Sequence, residues 1–227
     1  MQALEVIEVD TGPAPDAAVI WLHGLGADGH DFEPAVPMLA LGPERPVRFL
    51  FPHAPVRPVT LNAGMAMRAW YDLAHLEPER QEDEAGIRAA AQAIGELVAA
   101  QARAGIPSHR VVVAGFSQGG ATALFTGLRY PQRLAGLIGL SCYLPLPQFL
   151  AAEIAPANQD TCVFQGHGEA DPVVPCEMGL ASHRQLTAAA CQAEWHTYPL
   201  AHSVSPDELE DVRGFLQRCL PSLSDAD

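Results

Sequence analysis

The chain contains no lysine. Its 13 basic residues are all arginine, set against 27 acidic ones, and the formal net charge over 227 residues is −14. The arginines are spread singly, so no basic cluster offsets the acidic field, and nucleic acid is not an expected partner. A C-x-x-C pair is also missing. The five cysteines, at 142, 162, 176, 191 and 219, are odd in number and scattered. That argues against a disulfide framework or a zinc site and fits a reducing, cytoplasmic compartment. Each reads as a buried or surface thiol. The N-terminus, MQALEVIEVD, has neither a positive n-region nor an apolar core and is not a secretory signal. No unbroken membrane-length run follows. The most apolar later stretch, LAGLIGLSCYLPLPQFLAA, is interrupted by Pro145 and Pro147, so stable membrane insertion is not expected. There is no internal repeat and no low-complexity linker.

What is present is globular: 48% of residues are hydrophobic and 18% charged, enough to fill a sizeable core. Short β-rich runs alternate with helical ones. Strands are expected at 4–9, 18–22, 47–51, 110–114, 134–141, 161–165 and 193–199. Several are continuous apolar runs, as strands covered on both faces require. A helix is expected over 82–104, where Ile87, Ala91, Ile94, Leu97/Val98 and Gln101 trace one face before Gly105 and Pro107 stop it. A second follows Ser117 and ends at Pro131, and a third covers 176–190. The last begins at Ser205-Pro206-Asp207-Glu208, with Ser and Glu at capping-box spacing and Pro at the first helical position. The alternation predicts one α/β domain over 1–227, a mostly parallel sheet with helices on both faces. Residues 52–80 show neither period. Their aromatic and apolar content reads as a loop packed over one edge of the sheet.

The chemistry starts at Gly115-Phe116-Ser117-Gln118-Gly119, which leaves a buried strand and opens a helix. In that setting G-x-S-x-G is a nucleophile elbow: the serine sits on a strained turn, and the glycines clear space for the neighbouring strand and helix. The alternative is a tight corner with a bystander serine. A serine hydroxyl needs a base. Four histidines follow it. His196 lies in a strand and reads as packing, and His183 lies in a helix and reads as solvated. His202 sits between the last strand and the capped helix, on a loop at the carboxyl end of a strand, and is the preferred base. His167, in a glycine-rich loop, is its rival. The orienting acid is Asp171, after another strand. Asp160 precedes that strand, Asp207 belongs to a helix first turn, and spacing alone does not separate Glu169 from Asp171. The order Ser117, Asp171, His202 is that of α/β-hydrolases. For an oxyanion hole, the Gln118 N–H supplies one donor, and Leu25, in WLHGLGADGHDF, a second. His23 in that loop reads as structural. All four parts leave the carboxyl ends of separate strands, where open α/β sheets bind ligands.

These segments resemble a known family. LHGLGADG, FPHAPVRPVTLN, WYD, GFSQGG, HGEADPVVP and AHS occur in the order found in the carboxylesterase and acyl-protein thioesterase family, over about residues 18–218. The likeness is nearer to its bacterial esterase branch. The resemblance implies a single-domain α/β-hydrolase without a large cap domain, needing no cofactor or metal. It carries over Ser117, Asp171 and His202 as the triad and Leu25 and Gln118 as oxyanion donors. It also sets the 52–80 loop, with Trp70, beside the acyl cleft, although Trp70-Tyr71-Asp72 reads equally well as a loop anchor. One departure is Ala201, where the family often has Gly. Cytoplasmic location and a homodimer follow by analogy only. The expected function is a serine carboxylesterase acting on a small-molecule ester. The alternatives are an acyl-protein thioesterase or lysophospholipase with the same triad and, more remotely, an acyltransferase, a perhydrolase or a non-catalytic binding protein.

Overall fold

The structure is a computed structural model that describes residues 4–42, 44–74 and 82–222. Among the described residues there are nine strands: β1 (Val6–Asp10), β2 (Ala17–Leu22), β3 (Val47–Pro52), β4 (Val56–Val59), β5 (Met65–Arg68), β6 (Val111–Phe116), β7 (Gly136–Leu140), β8 (Cys162–Gly168) and β9 (Gln192–Tyr198). Seven of them form one sheet in the order β1-β3-β2-β6-β7-β8-β9. Only β1 runs antiparallel, against β3. The seven expected strands are these seven, shifted by one or two residues at most ends. Helices are α1 (Val36–Leu39), α2 (Glu84–Arg103), α3 (Gln118–Arg129), α4 (Leu150–Glu153), α5 (Cys176–Ala188) and α6 (Pro206–Cys219).

Alternation along β6 shows why its sequence is apolar throughout. Val111 and Val113 enter one core with Ile87 and Ile94 of α2, Leu124 of α3 and Leu186 of α5. Val112 and Ala114 enter the other, with Leu39 of α1 and Val212, Phe215 and Leu216 of α6. Successive residues of a strand point to opposite faces, so a sheet covered on both sides needs apolar residues at every position. The middle helix α3 is buried at every position from Gln118 to Leu128. No described helix is long and apolar enough to cross a membrane.

After β2 the chain moves to one side to form β3, and later returns to the other side to form β6. The direction of winding reverses between β2 and β6, and Leu22 lies in register with Gly115 there. A crevice therefore opens beyond the carboxyl ends of these two strands, the place where such sheets bind ligands.

The reading of 52–80 as a loop needs correction. It carries a small antiparallel hairpin, β4 against β5, with Val59 opposite Met65. The turn between them places Ala63 at φ 53° and Gly64 at φ 76°. Its strands are four residues each, hold Pro58, and are largely exposed, so neither periodicity nor a continuous apolar run marks them. The hairpin packs over the β2/β6 crevice: the Gly26 N–H donates to Arg68 O at 2.9 Å. Residues 75–80 of that segment, and the ends of the 1–227 domain, lie outside the described residues.

Candidate active site

β6 delivers Ser117 into a conformation that L-residues avoid, φ 54° and ψ −122°. Such strain persists only where the surroundings enforce it. Here the Ser117 N–H donates to Leu140 O at the end of β7 at 2.8 Å. Glycines permit the rest. A methyl at Gly119 would overlap the carbonyl oxygens of Leu22 and His23, and one at Gly115 would overlap the Gly119 backbone. Ser117 occupies the N-cap position of α3 but its side chain caps nothing. Its Oγ instead lies 2.9 Å from His202 Nε2.

His202 Nδ1 donates to Asp171 Oδ2 at 2.7 Å. That bond fixes the tautomer, leaving Nε2 to accept the Ser117 hydroxyl. The other carboxylate oxygen of Asp171 accepts the N–H groups of Val173 and Val174 at 2.8 and 2.9 Å. The Asp171 side chain is fully buried, so three N–H donors hold it in one orientation. The Phe116 ring packs against His202 at 4.7 Å. The loop carrying His202 is tied to the Asp171 loop by the Ala170 N–H, which donates to Leu200 O at 2.9 Å. Ala201, the departure from glycine, is exposed and its φ is not positive, so its methyl strains nothing.

The rival groups are elsewhere. His167 is buried at the end of β8 and donates from Nε2 to Val174 O at 2.8 Å, which braces the Asp171 turn; burial pushes its pKa down. His196 stacks on Phe164 at 4.8 Å, as a packing residue should. His183, expected to be solvated, is half-buried and lies 3.0 Å from Gln165 Oε1. Glu169 accepts the Thr197 hydroxyl, Asp160 pairs with Arg133 at the opposite edge, and Asp207 sits in the first turn of α6. Asp72 accepts the N–H and hydroxyl of Thr60 at 2.8 and 2.6 Å, which holds its pKa down and locks the hairpin turn.

His23 is structural. Its Nδ1 donates to Gly24 O at 2.7 Å, its Nε2 accepts the Ala54 N–H at 3.0 Å, and burial keeps its pKa low. It fixes the glycine-rich loop that carries Leu25. Leu25 and Gln118 both face the cleft beside Ser117. Gln118 opens α3, so its N–H has no partner within the helix, and the N–H of Leu25 donates to no described protein group.

The cleft has a volume of about 250 Å³ and a mostly apolar lining that includes Leu61, Tyr71, Leu73, Tyr143 and Val174. Trp70 is not in it. Its indole is 1% exposed and donates to His23 O at 2.9 Å, so its need for a hydrogen-bond partner turns it into the protein. Trp70 is an anchor, and its neighbour Tyr71 reaches the cleft. The Gln118 side chain does the clamping: Oε1 accepts the Trp70 N–H at 2.9 Å and Nε2 donates to Tyr71 O at 2.8 Å. The sequence gives Tyr143, Leu73 and Asp31 no motif. Tyr143 was findable only as a residue just past the carboxyl end of β7. All five cysteines are free; burial pushes the Cys219 thiol up to about 12. Among the described residues no three His, Cys, Asp or Glu side chains are placed to share a metal ion.

Fold and site together define an α/β-hydrolase, a hydrolase of the esterase and thioesterase class. The chain belongs to the phospholipase/carboxylesterase family, whose model matches residues 3–220. It is 39% identical to acyl-protein thioesterase 1 of Mycosarcoma maydis, over 96% of this chain and 97% of that one. The crystal structure of Zea mays acyl-protein thioesterase 2 superposes with a TM-score of 0.85 at 29% identity, covering 95% of this chain and 99% of that one. The Bacillus cereus carboxylesterase shares the fold, with a TM-score of 0.74, at 18% identity over 94% of each chain. The matches thus favour the eukaryotic thioesterases, and the expected nearness to a bacterial esterase branch is not supported.

Proposed function

We propose that this protein is a serine thioesterase that removes acyl groups from thioesters by way of an acyl-enzyme on Ser117. The observation that carries the reading is the unbroken hydrogen-bonded line Ser117–His202–Asp171 at the mouth of an apolar cleft. Ser117 Oγ attacks the carbonyl carbon while His202 Nε2 takes its proton. Asp171 holds the resulting imidazolium. The N–H groups of Leu25 and Gln118 stabilise the oxyanion, each worth about 10²–10³ in rate. The tetrahedral intermediate collapses, the leaving sulfur takes the proton from His202, and water repeats the sequence on the acyl-enzyme. The preference for sulfur over oxygen rests on the relatives named acyl-protein thioesterase. Oxoester cleavage is the second reading, because the same groups face either carbonyl.

The deciding measurement is kcat/KM on a thioester and an oxoester with one acyl chain and matched leaving groups. A thioester advantage of about tenfold or more, beyond the ratio of the uncatalysed rates, is the expected result. Equal or reversed values would make the protein a carboxylesterase.

A further inference from the structure

Among the described residues one carboxylate lines the apolar cleft, Asp31, together with Ser117 and His202, and no described arginine does. Among the described residues no side-chain hydrogen bond or cation offsets its charge, and although the residue is exposed, what burial it has and the charge of Asp28 both push its pKa up. It shares that lining with Phe116 and with His202, the group that hands a proton to the departing sulfur in the proposed reaction. Aliphatic and tyrosine side chains that suit an acyl chain, Leu61, Tyr71, Leu73 and Tyr143 among them, line the same cleft.

Resting on the thioesterase reading, we propose that Asp31 selects substrates by the charge of the leaving group. Acyl groups on neutral or cationic thiols, such as a cysteine in a basic peptide, are accepted. Acyl groups on anionic thiols, including phosphate-bearing carriers, are disfavoured. Asp31 is exposed at the cleft rim, so its carboxylate acts on a nearby unit charge through a medium close to water, and the effect is largest at low ionic strength. The net charge of −14 adds a diffuse field of the same sign, but only the local part depends on one residue.

The test uses three thioesters of butyrate at pH 8 and low ionic strength, with wild type, Asp31→Asn and Asp31→Glu. The leaving groups are thiocholine (cationic), 2-mercaptoethanol (neutral) and 3-mercaptopropanesulfonate (anionic). In wild type kcat/KM for the cationic substrate should exceed that for the anionic one by about tenfold, narrowing in 0.5 M salt. Asp31→Asn should bring the ratio to within about threefold, and Asp31→Glu should restore it. Turnover of the neutral thioester with no charge preference, or a preference unchanged in Asp31→Asn, overturns the inference and leaves the thioesterase reading standing. Absence of turnover on all three overturns both.

Discussion

Two regions meet at the cleft and are built on different principles. The elbow, from β6 into α3, is held by backbone against backbone. Gly115, Gly119 and Gly120 bring main-chain atoms of β2, β6 and α3 so close that a single methyl on any of them overlaps a neighbour. The hairpin side, residues 54–74, is held by side chains reaching across. Gln118 clamps 70–71, the Trp70 indole bonds His23 O, Asp72 closes the Thr60 turn, and Arg68 donates to Ala54 O at 3.0 Å. At its tip Met65 is exposed and Gly64 has open space around it; at its base Val56 is exposed too. Close backbone packing yields a site that works or fails as a unit. A clamped flap yields a surface that can change piecewise, and changes there should appear in substrate choice.

The largest effect expected at the elbow is chemical. Ser117→Ala should lower kcat by on the order of 10⁶, with folding intact, because alanine keeps the backbone partners of the turn. Retention of most activity with any acyl substrate would remove Ser117 from the mechanism. Gly119→Ala should instead remove the protein. The methyl has nowhere to go except into the carbonyls of Leu22 and His23, and separating β2 from α3 opens the core that the two share. A loss of about 4 kcal/mol or more, read as insoluble expression or a Tm lowered by well over 10 °C, is expected. A well-folded Gly119→Ala protein would break the contrast between the two regions.

On the flap side, Gln118→Met keeps the backbone N–H of Gln118 but removes the clamp. The Trp70 N–H and Tyr71 C=O then lose the carboxamide that bonds them, at a cost of about 2–4 kcal/mol. The structure should survive, with faster hydrogen exchange confined to 69–73 and a loss in kcat/KM that exceeds the loss in kcat. Uniform loss of both would mean that the carboxamide supports the elbow rather than the flap.

The same division governs what the sequence could reveal. The elbow was legible because its constraints are local: strand, glycine, serine and glycine lie within a few residues of one another and have few other uses. His202 and Asp171 were legible because each leaves the carboxyl end of a strand. The flap was not. Its strands are short and contain Pro58, and its partners lie far off in sequence, with Gly26 holding Arg68 and Asp83 Oδ2 accepting the Asp72 N–H at 2.9 Å. Trp70 stood between two readings, cleft contact by resemblance and loop anchor, for a related reason: only the structure shows its indole N–H already satisfied by His23 O. The Ser205 cap was half right. The Glu208 N–H donates to Ser205 Oγ at 3.1 Å, but the Ser205 N–H reaches back only weakly: it pulls the Glu208 pKa down a little, yet neither buried carboxylate oxygen receives a well-formed hydrogen bond.

That carboxylate gives the next effect in size. It sits against Gly166, where a methyl would strike it, and burial raises its pKa from 4.5 to about 7, with Asp211 adding to the shift. A folded-state pKa above the unfolded one means that the native chain binds the proton more tightly. Stability from this group is therefore full below about pH 4.5, falls as pH rises toward about 7, and is flat above. Glu208→Gln should add about 2–3 kcal/mol at pH 8 and little at pH 4.5. Urea melts at both pH values measure it. A gain independent of pH would place the strain in packing rather than in charge. A gain at pH 8 would show that the backbone-packed region also tolerates an unsatisfied side chain beside its close approaches.

The smallest effect should come from the flap tip, and it sharpens the comparison most. Leu61 lines the cleft yet is 44% exposed. It gives the core little and a bound acyl chain some apolar surface. Leu61→Ala removes about three carbon atoms from one side of that surface, and half-burial discounts the full transfer value to about 1 kcal/mol. That corresponds to about fivefold in kcat/KM for a long acyl chain and nothing for acetyl, whose carbon atoms end at the oxyanion site. Tm should move by less than about 2 °C. Kinetics on acetyl, octanoyl and lauroyl thioesters would read the slope of preference with chain length, which should flatten in the variant. An equal loss on all three chains would mean that Leu61 helps to set the catalytic geometry, and the flap would then belong to the same rigid unit as the elbow.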